Sequence, residues 1–503
     1  MAKPIFLDPE RKRWRRVRTI FDVTGVAITI VIIVFIYSVV RLGPLPDLLL
    51  PAQHKPYRAL REHERASRKE QAAKRAQRRR KKHELAQLGQ AVTGDGLRAA
   101  YYVIWDAGSL SALREYHPQI DVLFPEWLHV VTPDGNIQAV TGENKPFNIY
   151  SGGKINNPDS PDDPQRSVMQ MLRQEQAQTV VLPMVNNFDP VNKQWLTSIG
   201  DFLSDAEARA HFRQQIAALM KFDKYGGLCV DFEEIPLAAQ PGFVSLMNEL
   251  AGDLHARGLK LYVNLPADDK DYDYKAIGAA VDGLILMDYD QHHSSSAPGP
   301  VSAQDWFVNN LREALKVVPA AKLLAAIGNY GYEWGPKKQN IHCDSGETAR
   351  ACTLTVQQAL LKSHESEETV ELDPDSLNPH FSFLDEDGGR RDVWFLDAVT
   401  STNQMRAAQR IGINAFALWR LGGEDRSLWQ TWDDPSAADN AERLSVIPPG
   451  QDVDLEGDGE ILRIEQRPTA GTRQIKVDDQ GFISSVRVTQ PPLPYMIAQY
   501  GRA

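Results

Sequence analysis

The chain predicts an α/β fold, a (β/α)8 TIM barrel, from strand spacing, helical spacing and their alternation. Eight β-branched or aromatic runs recur: Ala99–Trp105, Ile120–Val131, Thr179–Asn187, Gly227–Phe232, Lys260–Leu265, Gly283–Tyr289, Leu323–Tyr330 and Asn414–Arg420. Most are apolar on both faces, as strands of a buried parallel sheet are. Between them, 204–223, 238–257 and 302–318 carry apolar residues at helical spacing; Phe212, Ile216, Ala217 and Met220 form one stripe. Repeated strand-helix alternation favours a barrel. A doubly wound open sheet is the alternative. Against it, Val103-Ile104-Trp105-Asp106 runs into Ala107-Gly108-Ser109, which is no dinucleotide fingerprint.

Before the barrel, residues 1–18 form a basic terminus and 19–41 a predicted membrane helix. Val23 to Val40 is uncharged, long enough to cross a bilayer core at about 1.5 Å per residue. Phe35 to Arg41 offers no A-x-A-like cleavage site, so the anchor is expected to stay. Lys3, Arg11, Lys12, Arg13, Arg15, Arg16 and Arg18 precede it, which places the amino terminus in the cytoplasm. The expected location is therefore the cell inner membrane, single-pass, with the barrel extracytoplasmic. Residues 42–96 read as a basic tether, with 13 Lys/Arg between Lys55 and Lys82. Such a run suits anionic headgroups or acidic polymers. Tyr57 is its one aromatic ring, too few to interleave as nucleic-acid binding would need. Residues 1–90 hold 21 basic and 8 acidic groups, the remainder 35 and 58, so the folded part is acidic and unsuited to polyanions.

Candidate chemistry gathers at Gly226 to Glu233. Leu228 and Val230 belong to a buried strand, and Asp231 and Glu233 follow at its carboxyl end. Residues two apart in a strand share a face, so both carboxylates look into one space. Each raises the other's cost of ionisation, which can keep one protonated as a general acid. The other strand ends supply Glu126, Trp127, Asn186, Asn187, Asn264, Asp288, Tyr289, Asp290, Tyr330 and Trp419, with Glu424 and Asp425 just beyond. Singly, each has a plainer reading as a loop polar group or core aromatic. Together they suit a sugar, whose hydroxyls need hydrogen bonds and whose C–H faces stack on rings. No metal or cofactor is expected: His292 and His293 would point oppositely on a strand, and His342-Cys343 is an isolated pair. Cys343 and Cys352 are close enough to bridge in an oxidising compartment or to stay free.

These residues resemble glycoside hydrolase family 18, the chitinase-like barrels. The family's fourth-strand signature D-G-x-D-x-D-x-E is matched in part by Gly226 to Glu233. Its sixth-strand M-x-Y-D is matched by Met287-Asp288-Tyr289-Asp290, and its eighth-strand tryptophan by Trp419. Val393 to Ala398, Ala417 to Gly422 and Glu424-Asp425 are similar to the branch with spore-cortex and peptidoglycan-linked members. The resemblance covers 97–435 within a barrel domain bounded at 97–445. It implies an O-glycosyl hydrolase that is retaining and substrate-assisted, the substrate's N-acetyl group attacking the anomeric carbon. Glu233 would protonate the leaving oxygen and later activate water. Asp231 would hold the acetamido N–H, Tyr289 its carbonyl, and Trp419 the floor beneath that sugar. Asp290, Asn264, Tyr330, Trp127 and Asn186 would contact the substrate. The sequence departs from the signature at Gly226 and Cys229, where the family has aspartates. A buried thiol is a weak donor, so Asp231 would lack its inner partner and activity would be slowed.

Residues 333–395 resemble the small α+β insertion between strands seven and eight of many family members. Thr355–Ser363 reads as helix, Thr369–Leu372 and His380–Leu384 as strands around an Asp385-Glu386-Asp387-Gly388-Gly389 turn. The segment 446–503 reads as a small β module with strands Ile461–Ile464, Gln474–Val477 and Phe482–Val488. Asp452 to Gly459 is similar to a calcium loop, but Arg463 stands at the twelfth position, so an acidic turn is expected. The overall organisation resembles the first part of large bacterial membrane proteins in which polysaccharide deacetylase and family 2 glycosyltransferase modules follow. Neither module's motifs occur here. The resemblance implies a polysaccharide substrate, a membrane and those modules as partners, and no nucleic acid. A hydrolase of β-linked N-acetylglucosamine polymers is the first expectation. A catalytically weak glycan-binding domain and a structural spacer are the alternatives. Retention of Asp231 and Glu233 favours catalysis, while Cys229 pulls toward binding.

Overall fold

The computed structural model describes residues 96–433, except 141–145, 152–153, 156–163, 337–338, 345, 369 and 374, and five short strands between 453 and 498. The expected basic terminus, membrane helix and tether lie outside the described residues, apart from residue 96. Among the described residues, no helix is long and apolar enough to cross a membrane.

Alternating inward and outward side chains build a closed barrel. Its strands are β1 (Arg98–Val103), β2 (Val122–Val130), β3 in two segments (Val180–Val181 and Met184–Asn186) and β4 (Gly227–Asp231). β5 (Lys260–Pro266), β6 (Gly283–Met287), β7 (Leu323–Gly328) and β8 (Ala415–Trp419) complete it. Every consecutive pair is parallel, and β8 pairs with β1. Inside, bulky Tyr101, Phe124 and Met184 fill space beside small Ala99, Ala326, Ala415 and Ala417. The opposite parity, including Leu228, Val230, Val263 and Leu284, packs with the surrounding helices into the larger core. Period-two alternation with both faces apolar is what a barrel strand requires.

The helices follow capping chemistry. The stretch expected as helical over 204–223 is the helix Ala206–Phe222, parted from the preceding short helix Ile199–Ser204 because Asp205 adopts an extended backbone and its side chain accepts from Glu207 N–H. The helix Gln240–His255 carries a proline in its first turn.

Two glycines explain how β4 lies. A Cβ on Gly227 would come within 1.9 Å of the Lys260 carbonyl oxygen, so only glycine lets β4 approach β5 there. A Cβ on Gly226, where the family signature has its first aspartate, would come within 2.2 Å of the Val180 Cγ1, so a side chain there requires Val180 to move.

Beyond β7 the chain forms an antiparallel sheet in the order Ala351–Leu354, Gly331–Trp334, Arg390–Phe395, Pro379–Leu384, Val370–Leu372. The helix Val356–Glu365 starts on a capping box made by Thr355 and Gln358. Cys343 and Cys352 are disulfide-bonded, and Cys229 is free and buried. The carboxyl-terminal strands correct the expectation of one small module. Ile483–Val488 pairs with Arg473–Val477 and with Val370–Leu372, extending the insertion's sheet. Val453–Gly457, expected in an acidic turn, is a strand in a separate sheet with Glu460–Ile464 and Met496–Ala498.

Candidate active site

The alternation of β4 decides which side chains reach the barrel mouth. Leu228, Val230 and Phe232 pack into the helix-facing core, and Cys229 lies in the interior. Asp231 and Glu233 continue the inward parity of Cys229. Asp231 is 5% exposed and its Oδ1 has no hydrogen-bond partner among the described residues. Burial pushes its carboxyl up to about 7; the Asn264 amide works the other way, and the Glu126 charge adds to the rise. Glu233 is part-buried as a residue, yet its carboxyl is held well above the usual range. Burial is the main cause, followed by the charges of Asp231, Asp290, Glu234 and Glu126. Two neighbouring carboxyls that both hold their protons more tightly than usual suit a site that must donate one.

Beneath them, the Cys229 thiol is pushed well up, first by burial and then by Asp231, and stays neutral. Its Sγ lies 3.5 Å from Asn264 Oδ1, which also accepts from the Tyr101 hydroxyl at 2.6 Å. Tyr289 follows the inward parity of Ile285. Its hydroxyl is pushed well up by burial and by Asp231, Asp290 and Glu233, so it remains a donor. Its ring meets Tyr330 edge-on at 5.9 Å. Asp290 has a left-handed backbone (φ 63°), and its Oδ1 accepts from the hydroxyls of Tyr330 and Tyr332. Trp419 is part-buried and meets Tyr101 edge-on at 5.3 Å; its peptide bond to Arg420 is cis.

One expected substrate contact is corrected. Trp127 is 1% exposed and packs in the helix-facing core, near Tyr225. Phe124 and Glu126 set the inward parity of β2, so alternation already turns Trp127 outward, and a bulge between Glu126 and Leu128 puts Leu128 on the same side. Asn186 points inward, and its amide is hydrogen-bonded to neighbouring groups. Nδ2 donates to Glu126 Oε1 at 3.0 Å, while Oδ1 lies 2.8 Å from His129 Nδ1 and accepts from Phe188 N–H. Three further strand-end acids also leave the mouth. Asp288 faces outward to Asn310 Nδ2 at 2.8 Å. Glu424 is turned into the wall, accepting from Gly422 N–H and Trp429 Nε1. Asp425 accepts from Ser427 and Ala398.

The structure adds Trp105 and Tyr332, which the sequence did not single out, and gives Asn187 a specific partner. Trp105 is 57% exposed, its ring under the Arg420 guanidinium at 4.1 Å and its Nε1 donating to Glu126 Oε2 at 3.2 Å. Tyr332 reaches Asp290 from the insertion's sheet. Asn187, beside Asn186, hydrogen-bonds the backbone of Glu233. An exposed tryptophan closing an apolar run was the available signal for Trp105; nothing in the sequence separates Asn187 from Asn186. Among the described residues no cluster of His, Cys, Asp or Glu side chains could hold a metal ion.

A closed parallel barrel with an acid pair at the carboxyl end of its fourth strand defines the class of protein. The chain belongs to the glycosyl hydrolases family 18, whose sequence model matches residues 146–440, more than half of it. It is 28% identical over 226 residues to YdhD of Bacillus subtilis, a glycosylase assigned to sporulation, covering 44% of this chain and 52% of that protein. It is 22% identical over 258 residues to the cortical fragment-lytic enzyme of Bacillus subtilis, covering 49% of this chain and 58% of that enzyme. The chain thus spans little more than half the length of these relatives. The chitinase of Chromobacterium violaceum superposes with a TM-score of 0.56 at 24% identity, over 68% of this chain and 99% of that one, a likeness of fold.

Proposed function

We propose that this chain is a membrane-anchored hydrolase of β-linked N-acetylglucosamine polysaccharide working outside the cytoplasm. The inward pair Asp231 and Glu233, both with raised carboxyl pKa values, carries the proposal. Protonated Glu233 gives its proton to the glycosidic oxygen as the substrate's acetamido oxygen attacks the anomeric carbon. Asp231 binds the acetamido N–H and steadies the oxazolinium cation, and Tyr289 aims the carbonyl. Glu233, now a carboxylate, takes a proton from the water that opens the ring. Trp419 underlies the reacting sugar, and Asp290, Asn264 and Tyr330 serve its hydroxyls. The chitinase and cortex-lytic names among its relatives support an N-acetylated β-linked glycan. The uncharged Val23 to Val40 segment supports the inner-membrane anchor, and the Cys343–Cys352 bridge suits an oxidising compartment. Deacetylase and glycosyltransferase modules acting on the same polymer are the proposed partners.

A second reading, a glycan-binding barrel of low turnover, is favoured by Cys229, which bonds Asn264 and leaves Asp231 Oδ1 unpartnered. Incubating the detergent-solubilised full chain with N-acetylglucosamine oligomers decides between them. Hydrolysis is expected, and Glu233→Gln should lower kcat by roughly a thousandfold or more. Turnover unaffected by that substitution would remove Glu233 as the acid; binding without turnover would establish the second reading.

A further inference from the structure

We infer that Asn187 is a positioning residue for Glu233, its side-chain amide continuing the β3–β4 ladder beyond the last backbone pair. The inference rests on the hydrolase proposal and concerns what holds its acid in place. Backbone pairing between β3 and β4 ends where Asp231 stands opposite Asn186. Glu233 lies two residues further on, and Glu234 then turns the chain through a left-handed conformation (φ 52°). Backbone pairing therefore stops short of the residue whose placement matters most.

Asn187 fills that gap. It is fully buried. Its Oδ1 accepts from Glu233 N–H at 2.8 Å, and its Nδ2 donates to the Glu233 carbonyl at 2.9 Å. A carboxamide has one acceptor and donors in the geometry of a peptide, so it pairs with both backbone groups of one residue as a neighbouring strand would. Asn187 is itself tied down, because Leu196 N–H donates to its carbonyl at 2.8 Å. The preceding residue is held from the other side. The Phe232 ring packs against Phe202, Phe212 and Phe243, and its carbonyl accepts from the Tyr272 hydroxyl at 3.2 Å. With Phe232 anchored in the core and Glu233 clamped at both peptide groups, the carboxyl swings only about its own side-chain torsions. Few other side chains can do this: aspartate has no donor when ionised, glutamine is one methylene longer, and serine cannot span both groups.

The test compares the full chain with Asn187→Ala and Asn187→Asp on N-acetylglucosamine oligomers, below the Tm of every variant. Asn187→Ala is expected to lower kcat roughly a hundredfold, as misplacement of a reacting group by about 1 Å does, with KM within about twofold. Asn187→Asp keeps the volume and the acceptor, so it carries the test if the alanine variant does not fold. Its kcat relative to the unmodified chain should rise as pH falls, because a protonated carboxyl regains the missing donor. Phe307→Leu, a buried change in the helix Gln304–Leu315, controls for lost stability and should lower Tm with kcat unchanged. A folded Asn187→Ala chain with undiminished kcat, alongside a Glu233→Gln chain without turnover, overturns the inference and leaves the hydrolase proposal standing. An unmodified chain without turnover, or a Glu233→Gln chain with full turnover, removes both.

Discussion

Glu424 gives the protein a measurable pH dependence of stability. It is 2% exposed, and burial raises its carboxyl from 4.5 to about 7, against the hydrogen bonds from Trp429 and Gly422. The folded chain therefore keeps a proton that the unfolded chain has released. A raised folded pKa contributes stability that is complete below the unfolded value and is lost as pH rises through the folded one. With about 1.36 kcal/mol per pKa unit, the loss from Glu424 between about pH 5 and pH 8 is about 2–3 kcal/mol. Asp231, raised from 3.8 to about 7, loses about the same over that window. Asp189, Asp282 and Asp373 are lowered, so their opposite contribution is complete before the window opens. Urea unfolding of the detergent-solubilised chain, followed by tryptophan fluorescence at the two pH values, reads the difference. Glu424→Gln should remove about 2–3 kcal/mol of it, whatever the change does to absolute stability through a lost acceptor. Stability that stays flat or rises toward alkaline pH, or an undiminished fall in Glu424→Gln, would refute this account of the carboxyl.

The two tryptophans at strand ends should separate by assay. Trp127→Ala should cost about 3–5 kcal/mol of stability by emptying a core site and leave oligomer affinity alone, whereas Trp419→Ala should weaken kcat/KM by roughly tenfold or more. Melting curves and steady-state kinetics check both, and a reversed pattern would place Trp127 at the sugar. Replacing Cys343 and Cys352 by serine opens a bridge across a separation of 9 residues. A loop of that size should cost about 2.5 kcal/mol on the chain-entropy account, seen as a lower urea midpoint with no change in the pH dependence of stability.

The barrel and its acid pair were legible because period-two alternation is local. Once Leu228 and Val230 are buried against helices, Cys229, Asp231 and Glu233 have one place to point. The same rule placed Tyr289 inward and Trp419 at the end of β8. It also turned Trp127 away from the mouth, opposite to Phe124 and Glu126, and it failed at Leu128, where a bulge set by the pairing of β2 with β3 shifts the register. It was silent about Glu424, because a carboxyl just past a strand end reaches the mouth or the wall according to the turn that follows.

By itself, then, the chain determined strand and helix order, the inward parity of β4 and the residue types available at each strand end. Only tertiary structure decided which partners hold those side chains in place. Asn186 is tied to Glu126 across 60 residues of sequence, and Asp290 is oriented by Tyr332 across 42. Asn187 was fixed to Glu233 across 46. Such pairings depend on closure of the barrel and docking of the insertion, which bring together groups that no local pattern connects.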